Sequence, residues 1–122
     1  MNYLEREREV QRMISVGLMM EAFEKFYHED VIMIESTGEI REGKAFNRTF
    51  QQEWIFGIKE VHDSGVKSIT SNEESAVTMS ETWIELSFRD GSRMKMEEVS
   101  VKQWDGDQII NERFYYDTDF DE

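Results

Sequence analysis

The stretch Glu97–Asp117, EEVSVKQWDGDQIINERFYYD, decides how this chain folds. Its halves carry alternating apolar side chains and meet at Asp105-Gly106, where a glycine beside an aspartate supplies the positive φ that a tight reversal needs. The pattern predicts two long strands joined as a hairpin. A second hairpin precedes it, with a strand from Thr78 to Phe88, a turn at Arg89-Asp90-Gly91-Ser92 and a strand from Arg93 onward. The chain is therefore expected to close as an antiparallel meander of three strands. Strands this long must coil or bend, usually at a bulge. Glu97-Glu98 is the expected position, because Met94 and Met96 are apolar on even numbers whereas Val99 and Val101 are apolar on odd ones.

Everything before the meander reads as cover for one face of the sheet. Asn2 and Glu5 have the spacing of a capping box, and Val10, Met13, Ile14 and Leu18 follow at helical intervals, with Glu5–Arg8 and Glu9–Arg12 as pairs on the wet face. Gly17 marks a bend. A second helical stripe runs through Leu18, Ala22, Phe23, Phe26 and Tyr27 and is expected to end at His28-Glu29-Asp30, where the helix dipole favours an imidazolium. Val31–Glu35 predicts a short strand and Ser36-Thr37-Gly38 a turn. Arg41-Glu42-Gly43-Lys44 leads into a third helix, whose stripe of Phe46, Phe50 and Trp54 needs a sheet to pack against and which Gly57 stops. Lys59–Thr70 predicts a strand and Ser71-Asn72-Glu73-Glu74 a turn. The fold class is α+β, with a curved antiparallel sheet wrapped around N-terminal helices as a cone. The mouth of such a cone is a natural pocket for a small molecule.

Composition bounds the function classes. At 122 residues, with no low-complexity stretch, the chain is expected to be one domain over 1–122 with an acidic tail from about 117 to 122. A hydrophobic content of 39% with 8 Phe, 8 Met, 4 Tyr and 3 Trp supplies a core that a disordered acidic chain lacks. A net charge of -13 with scattered Lys and Arg argues against nucleic-acid partners and anionic membrane surfaces. It leaves a neutral or cationic guest as the easier one. There is no cysteine, no apolar run long enough to span a bilayer and no signal-like N-terminus, so a cytoplasmic setting is expected. The two histidines are far apart and no metal-ligand spacing appears, so neither a metal nor a cofactor is expected.

Two segments, FEKFYHEDVIMIESTGEIREGKAF (Phe23 to Phe46) and VSVKQWDGDQIINERFYYD (Val99 to Asp117), resemble the nuclear transport factor 2-like superfamily, with its cystatin-like α+β cone, and within it the SnoaL-like and ketosteroid isomerase-like proteins. The resemblance implies a cone fold over nearly the whole chain. It implies a general base at Glu35, framed by Glu29-Asp30 and Gly38. The places of the oxyanion donors of ketosteroid isomerase-like members fall near Gln11 and at Ser100, which cannot do that job, and losing one such donor typically costs roughly 100- to 1000-fold in rate. The acidic residue of the SnoaL cyclases falls at Phe114, two positions after Glu112 on the same face.

The residues themselves support two readings. Glu35 or Glu112 can act as a general acid or base, Glu35 through an apolar setting of Met33, Phe50 or Trp54, and Glu112 by facing a wet cavity or pairing with a cation such as Lys102. That reading describes an isomerase, cyclase or hydrolase. In the other, preferred reading the cone is a container for an apolar or neutral guest lined by Tyr27, Phe50, Trp54, Trp83, Ser100, Phe114 and Tyr116. If Phe114 points inward, alternation carries Ile110, Glu112 and Tyr116 with it and places Ile109 and Tyr115 outside. With Val99 and Val101, those outer residues predict a homodimer through the outer sheet face.

Overall fold

The structure, a computed structural model, describes residues 2–117. In chain order the elements are α1 (Tyr3–Ser15), α2 (Met19–Phe26), β1 (Tyr27–Ile34), β2 (Ile40–Glu42), α3 (Lys44–Gly57), β3 (Ile58–Asn72), β4 (Val77–Phe88), β5 (Arg93–Asp105) and β6 (Gln108–Tyr116). The six strands form one curved, unclosed sheet in the order β2-β1-β6-β5-β4-β3. Among the described residues the β1–β6 pair is parallel and the other pairs are antiparallel. The acidic tail read from sequence lies outside the described residues beyond Asp117. Among the described residues no helix is long and apolar enough to cross a membrane.

Local chemistry accounts for most boundaries. Asn2 caps α1 by accepting from the Glu5 amide at 3.0 Å. The reciprocal partner is not Glu5, which pairs with Arg8, but Glu73 from the β3–β4 turn, whose carboxylate accepts from the amides of Tyr3 (2.7 Å) and Leu4 (2.9 Å). These are orphan donors of the first turn, so the clasp also fastens α1 to the sheet. Gly17 and Gly106 both take positive φ, at the interhelical bend and in the last hairpin.

The core lies between α1, α2 and the concave face of β1, β5 and β6. Val10, Phe23, Phe26, Val31, Met33, Trp104 and Ile109 are almost fully buried there, each contributing roughly 1.5–3 kcal/mol or more by removal from water. Phe23 stacks on Tyr27 at 4.8 Å between ring centroids, and Phe26 meets the Trp104 ring edge-on at 6.0 Å.

Several expectations are corrected. Helix α2 stops at Phe26, so Tyr27 and His28-Glu29-Asp30 belong to β1 and the His28 imidazole is no helix cap; its Nδ1 accepts from the Asp30 amide. Leu18 lies exposed at the bend. Strand β2 intervenes before α3, and the β3–β4 turn falls at Glu73–Ala76, with Ala76 at φ 59. The α3 stripe is not seated on the sheet as a whole. Phe46 is 58% and Phe50 38% exposed, and only Trp54 reaches a strand aromatic, Phe88, at 5.5 Å.

The Glu97-Glu98 bulge does not exist, since β4 and β5 pair without a shift from Val77↔Gln103 to Ser87↔Arg93. Even-numbered side chains of β5 face inward throughout. What changes at Glu98 is polarity, from Met94 and Met96 to Glu98, Ser100 and Lys102, while the outer face turns apolar at Val99 and Val101. The sheet bends instead through β3, whose pairing with β4 shifts at three places, and β5 meets its irregularity opposite β6, where Trp104 pairs with Ile109 and Gln103 with Asn111. Ile110 is the extra residue, so Ile109 is inside and Ile110 outside, the reverse of simple alternation.

Candidate functional site

Strand alternation on β4, β5 and β6 lays a polar line across the concave face. From β5 it brings Glu98, Ser100 and Lys102, from β4 Thr78 and Ser80, and from β6 Glu112. The register places Ser80 opposite Ser100, Thr82 opposite Glu98, and Lys102 opposite both Thr78 and Glu112. Helix α1 covers this line with Glu7 and Gln11, one turn apart on its buried face.

The deep half of the line is saturated with hydrogen bonds. The Lys102 ammonium donates to Glu7 Oε2 and to Ser100 Oγ, each at 3.0 Å, and sits 3.4 Å from Glu112 Oε2. Glu7 also accepts from Gln11 (2.9 Å) and Thr78 (2.9 Å), and Thr78 accepts from the Trp104 indole (2.9 Å). Glu112 accepts from the Tyr27 hydroxyl and from Ser100 Oγ at 2.6 Å. Burial opposes the Lys102 cation, yet the carboxylates of Glu112 and Glu7 hold its pKa above the usual lysine value. Burial, with Glu112 alongside, pushes the Tyr27 hydroxyl well above its ordinary range. A buried charge group of this kind is tolerable only because every member has partners.

Nearer the rim, a second set gathers round Glu35, just past β1. Buried Arg41 of β2 donates to it, and the Tyr116 hydroxyl does so at 2.6 Å. Arg41 is fixed in turn by Asn47 Oδ1 of α3 at 2.9 Å and lies 3.8 Å from the centre of the Phe50 ring. Burial and the bond to Glu35 push the Tyr116 hydroxyl up to about 12. Ser36 Oγ donates to the Tyr116 carbonyl at 2.7 Å and ties this rim to the end of β6.

Glu98 lies between the two sets and belongs to neither. It receives no hydrogen bond among the described residues, and its carboxyl is pushed up to about 7, first by burial and then by the neighbouring Glu112 and Glu35, against the pull of Lys102. Beyond it the concave face of β4 and β5 continues as Ile84, Leu86, Phe88, Met94 and Met96. All but Leu86 remain partly exposed. Trp54 of α3 meets this apolar floor at Phe88, and Phe50, one turn earlier on α3, lies against Arg41. Among the described residues no three His, Asp or Glu side chains converge to hold a metal ion.

Neither a family model nor a curated protein matches this sequence. Solved structures do. A candidate SnoaL-like polyketide cyclase from Mesorhizobium loti superposes with a TM-score of 0.83 at 24% identity, over 95% of this chain and 100% of that one. The chain has the nuclear transport factor 2-like, SnoaL-like cone fold. A candidate isomerase from Bacillus subtilis matches with a TM-score of 0.78 at 16% identity, over 96% of this chain and 90% of its own. A ketosteroid isomerase-like fold from Catenulispora acidiphila, solved in complex with trimethylamine, gives 0.72 at 12% identity, over 90% and 84%. At these identities the likeness is one of fold.

Within the SnoaL-like cone, the residues singled out from sequence divide into groups. Glu112, Tyr27 and Ser100 share the deep network, joined by Gln11. Glu35, Tyr116 and Phe50 share the rim, Phe114 packs against the core beside the deep network, and Trp54 stands at the apolar floor. Trp83 is apart from all of them. It projects from the opposite face of β4, with its indole on Asp63 at 3.0 Å and its ring over Gly65. Sequence reasoning missed Glu98, Lys102's central place, Glu7 and Arg41. Glu98 was within reach, because Glu98, Ser100, Lys102 and Trp104 are spaced by two on one strand.

Proposed function

We propose that this chain is a small-molecule-binding SnoaL-like cone protein whose guest lies beneath α3, on the concave face of β4 and β5. The observation that carries this reading is the partly exposed apolar floor of Ile84, Phe88, Met94 and Met96, met by Trp54 at Phe88 and ending at a carboxyl without a hydrogen-bond donor among the described residues. Apolar surface walled by aromatics and closed by a few polar groups is what binding sites are made of. The guest is an apolar body, neutral or bearing one positive charge. Trimethylamine in a neighbour of the same fold supports that choice. A thermal-shift screen with apolar and amine probes tests it, since a guest at a hundred times its Kd adds about 2.7 kcal/mol of stability. Hits should be weakened by Phe50→Ala and Trp54→Ala and untouched by Trp83→Ala.

An alternative reading, an isomerase, cyclase or hydrolase using a pocket carboxylate, is favoured by one observation. Glu35, Glu98 and Glu112 gather on one concave face, and burial pushes the Glu98 carboxyl up to about 7, a range suited to proton transfer at neutral pH. In that reading Glu35 or Glu112 moves the proton as general acid or base, with Glu98 beside them, and Glu35→Gln abolishes turnover while leaving the fold intact.

The protein is further read as a cytoplasmic homodimer through the outer sheet face. Ile34, Arg113, Val101 and Met79 lie in register across β1, β6, β5 and β4, with Ile110, Val99 and Tyr115 beside them. Buried Arg113 Nε has no hydrogen-bond partner among the described residues. Sedimentation should give twice the chain mass, and Val101→Asp should halve it.

A further inference from the structure

Among the described residues, the carboxylates of Glu7, Glu35, Glu98 and Glu112 face into the cone and are not equivalent. Glu7 receives hydrogen bonds from Lys102, Gln11 and Thr78, Glu112 from Tyr27 and Ser100, and Glu35 from Arg41 and Tyr116. Each is fixed by donors on at least two different elements. Glu98 has none among the described residues, although β5 aims it into the same concave face, directly before the apolar floor. Glu98 is partly exposed, so water and not a protein donor meets its carboxyl, and a guest's donor can take that water's place.

We infer that Glu98 is the proton-exchanging residue of the site and that it recognises a guest carrying a basic nitrogen. The inference rests on the ligand-binding reading above and deepens it by naming the guest's reactive group. When a neutral amine enters, the Glu98 O–H bond breaks and its proton forms an N–H bond with the nitrogen lone pair, leaving an ammonium beside a carboxylate. When the amine arrives already protonated, the same pair forms and the Glu98 proton goes to solvent. The groups that face Glu98 are Glu112 and Tyr116 from β6, Lys102 from its own strand, Glu35 after β1 and Tyr27 from β1, with Arg41 and Glu7 one contact further. Lys102 favours the carboxylate, whereas Glu35 and Glu112 favour the neutral acid, so an incoming cation tips the balance. The partly exposed Trp54 ring offers the alkyl groups of such an amine an apolar, cation-tolerant wall.

The test uses two measurements on the whole chain. In the free protein, carboxyl-carbon NMR of glutamate-labelled material, assigned with Glu98→Gln, follows the Glu98 titration. Calorimetry with trimethylamine hydrochloride, run in buffers of different ionisation heat, counts the protons released on binding. The expected results are a Glu98 titration near neutrality and release of about one proton per guest at pH 6, fading by pH 8.5. Release should be absent in Glu98→Gln and restored in Glu98→Asp. A Glu98 that titrates in the ordinary carboxylate range, or proton release that persists in Glu98→Gln, overturns the inference while leaving guest binding standing. If no probe of any class binds, the ligand-binding reading fails, and recognition of a basic nitrogen fails with it.

Discussion

Glu98→Gln separates the cost of holding this carboxyl inside the cone from everything else that titrates. Its pKa is raised from 4.5 to about 7, with burial the largest cause. Between those values the folded protein keeps a proton that the unfolded chain has released, so stability falls as pH rises through that window. The full penalty is about 3 kcal/mol above pH 8, because each tenfold change in proton affinity is worth about 1.4 kcal/mol. About 2.5 kcal/mol of it develops between pH 5 and pH 8.5. Glutamine has nearly the same shape and no charge, so the variant should lose this slope. Urea unfolding of both proteins at the two pH values gives the double difference, in which the other titrating groups cancel to first order. The variant should gain about 2.5 kcal/mol relative to wild type on going to pH 8.5, or roughly 10 °C in Tm for a domain of this size. Parallel pH profiles for the two proteins would refute the reasoning, since they would mean that Glu98 is solvated or has a partner.

Other perturbations probe the supports of the site. Lys102→Met leaves Glu7 and Glu112 without their cation and should cost roughly 3–5 kcal/mol in urea unfolding, with part recovered by adding Glu7→Gln. Gly65→Ala places a methyl inside the Trp83 ring, so it should destabilise by about 1–3 kcal/mol and red-shift tryptophan emission. Removing the ring with Trp83→Ala should make the alanine nearly silent. Glu73→Ala should speed hydrogen exchange at the Tyr3 and Leu4 amides. Bonds from Ser71 and then from the Tyr3 amide hold the Glu73 carboxyl below its usual range, so this protection should survive until the pH falls beneath that range and then disappear.

The sheet was legible because its signals are local. Gly106 and Gly91 announce their turns through φ, and alternation along Thr78–Phe88 and Arg93–Asp105 announces the strands. The polar line was harder to read for a physical reason. A strand whose inner face carries Glu98, Ser100 and Lys102 while its outer face carries Val99 and Val101 reverses the usual rule. The hydrophobic pattern therefore mimicked a bulge where polarity had changed and the backbone had not. The irregularity of β6 at Ile110 was hidden because Ile109 and Ile110 are identical side chains, and only the pairing of Trp104 with Ile109 distinguishes them. Glu35 and Glu112 were identifiable as inward carboxylates. The pairing of Glu112 with Lys102 was legible too, from their inward places on neighbouring strands, but Arg41 was not, because it reaches Glu35 through a three-residue strand that propensity does not reveal, nor was Glu7, which meets Lys102 across 95 residues. The Phe46, Phe50 and Trp54 stripe was visible as a face, but periodicity does not say whether a face is buried or left open.

Whether that open face receives a guest is best answered by amide and indole NMR during titration with trimethylamine and a panel of apolar amines at pH 8.5. The account predicts shifts confined to Phe50, Trp54, Met94, Met96, Glu98 and Tyr116, with the Trp54 indole moving and the Trp83 indole still. Shifts on the outer sheet face alone, or none with any guest, would contradict it.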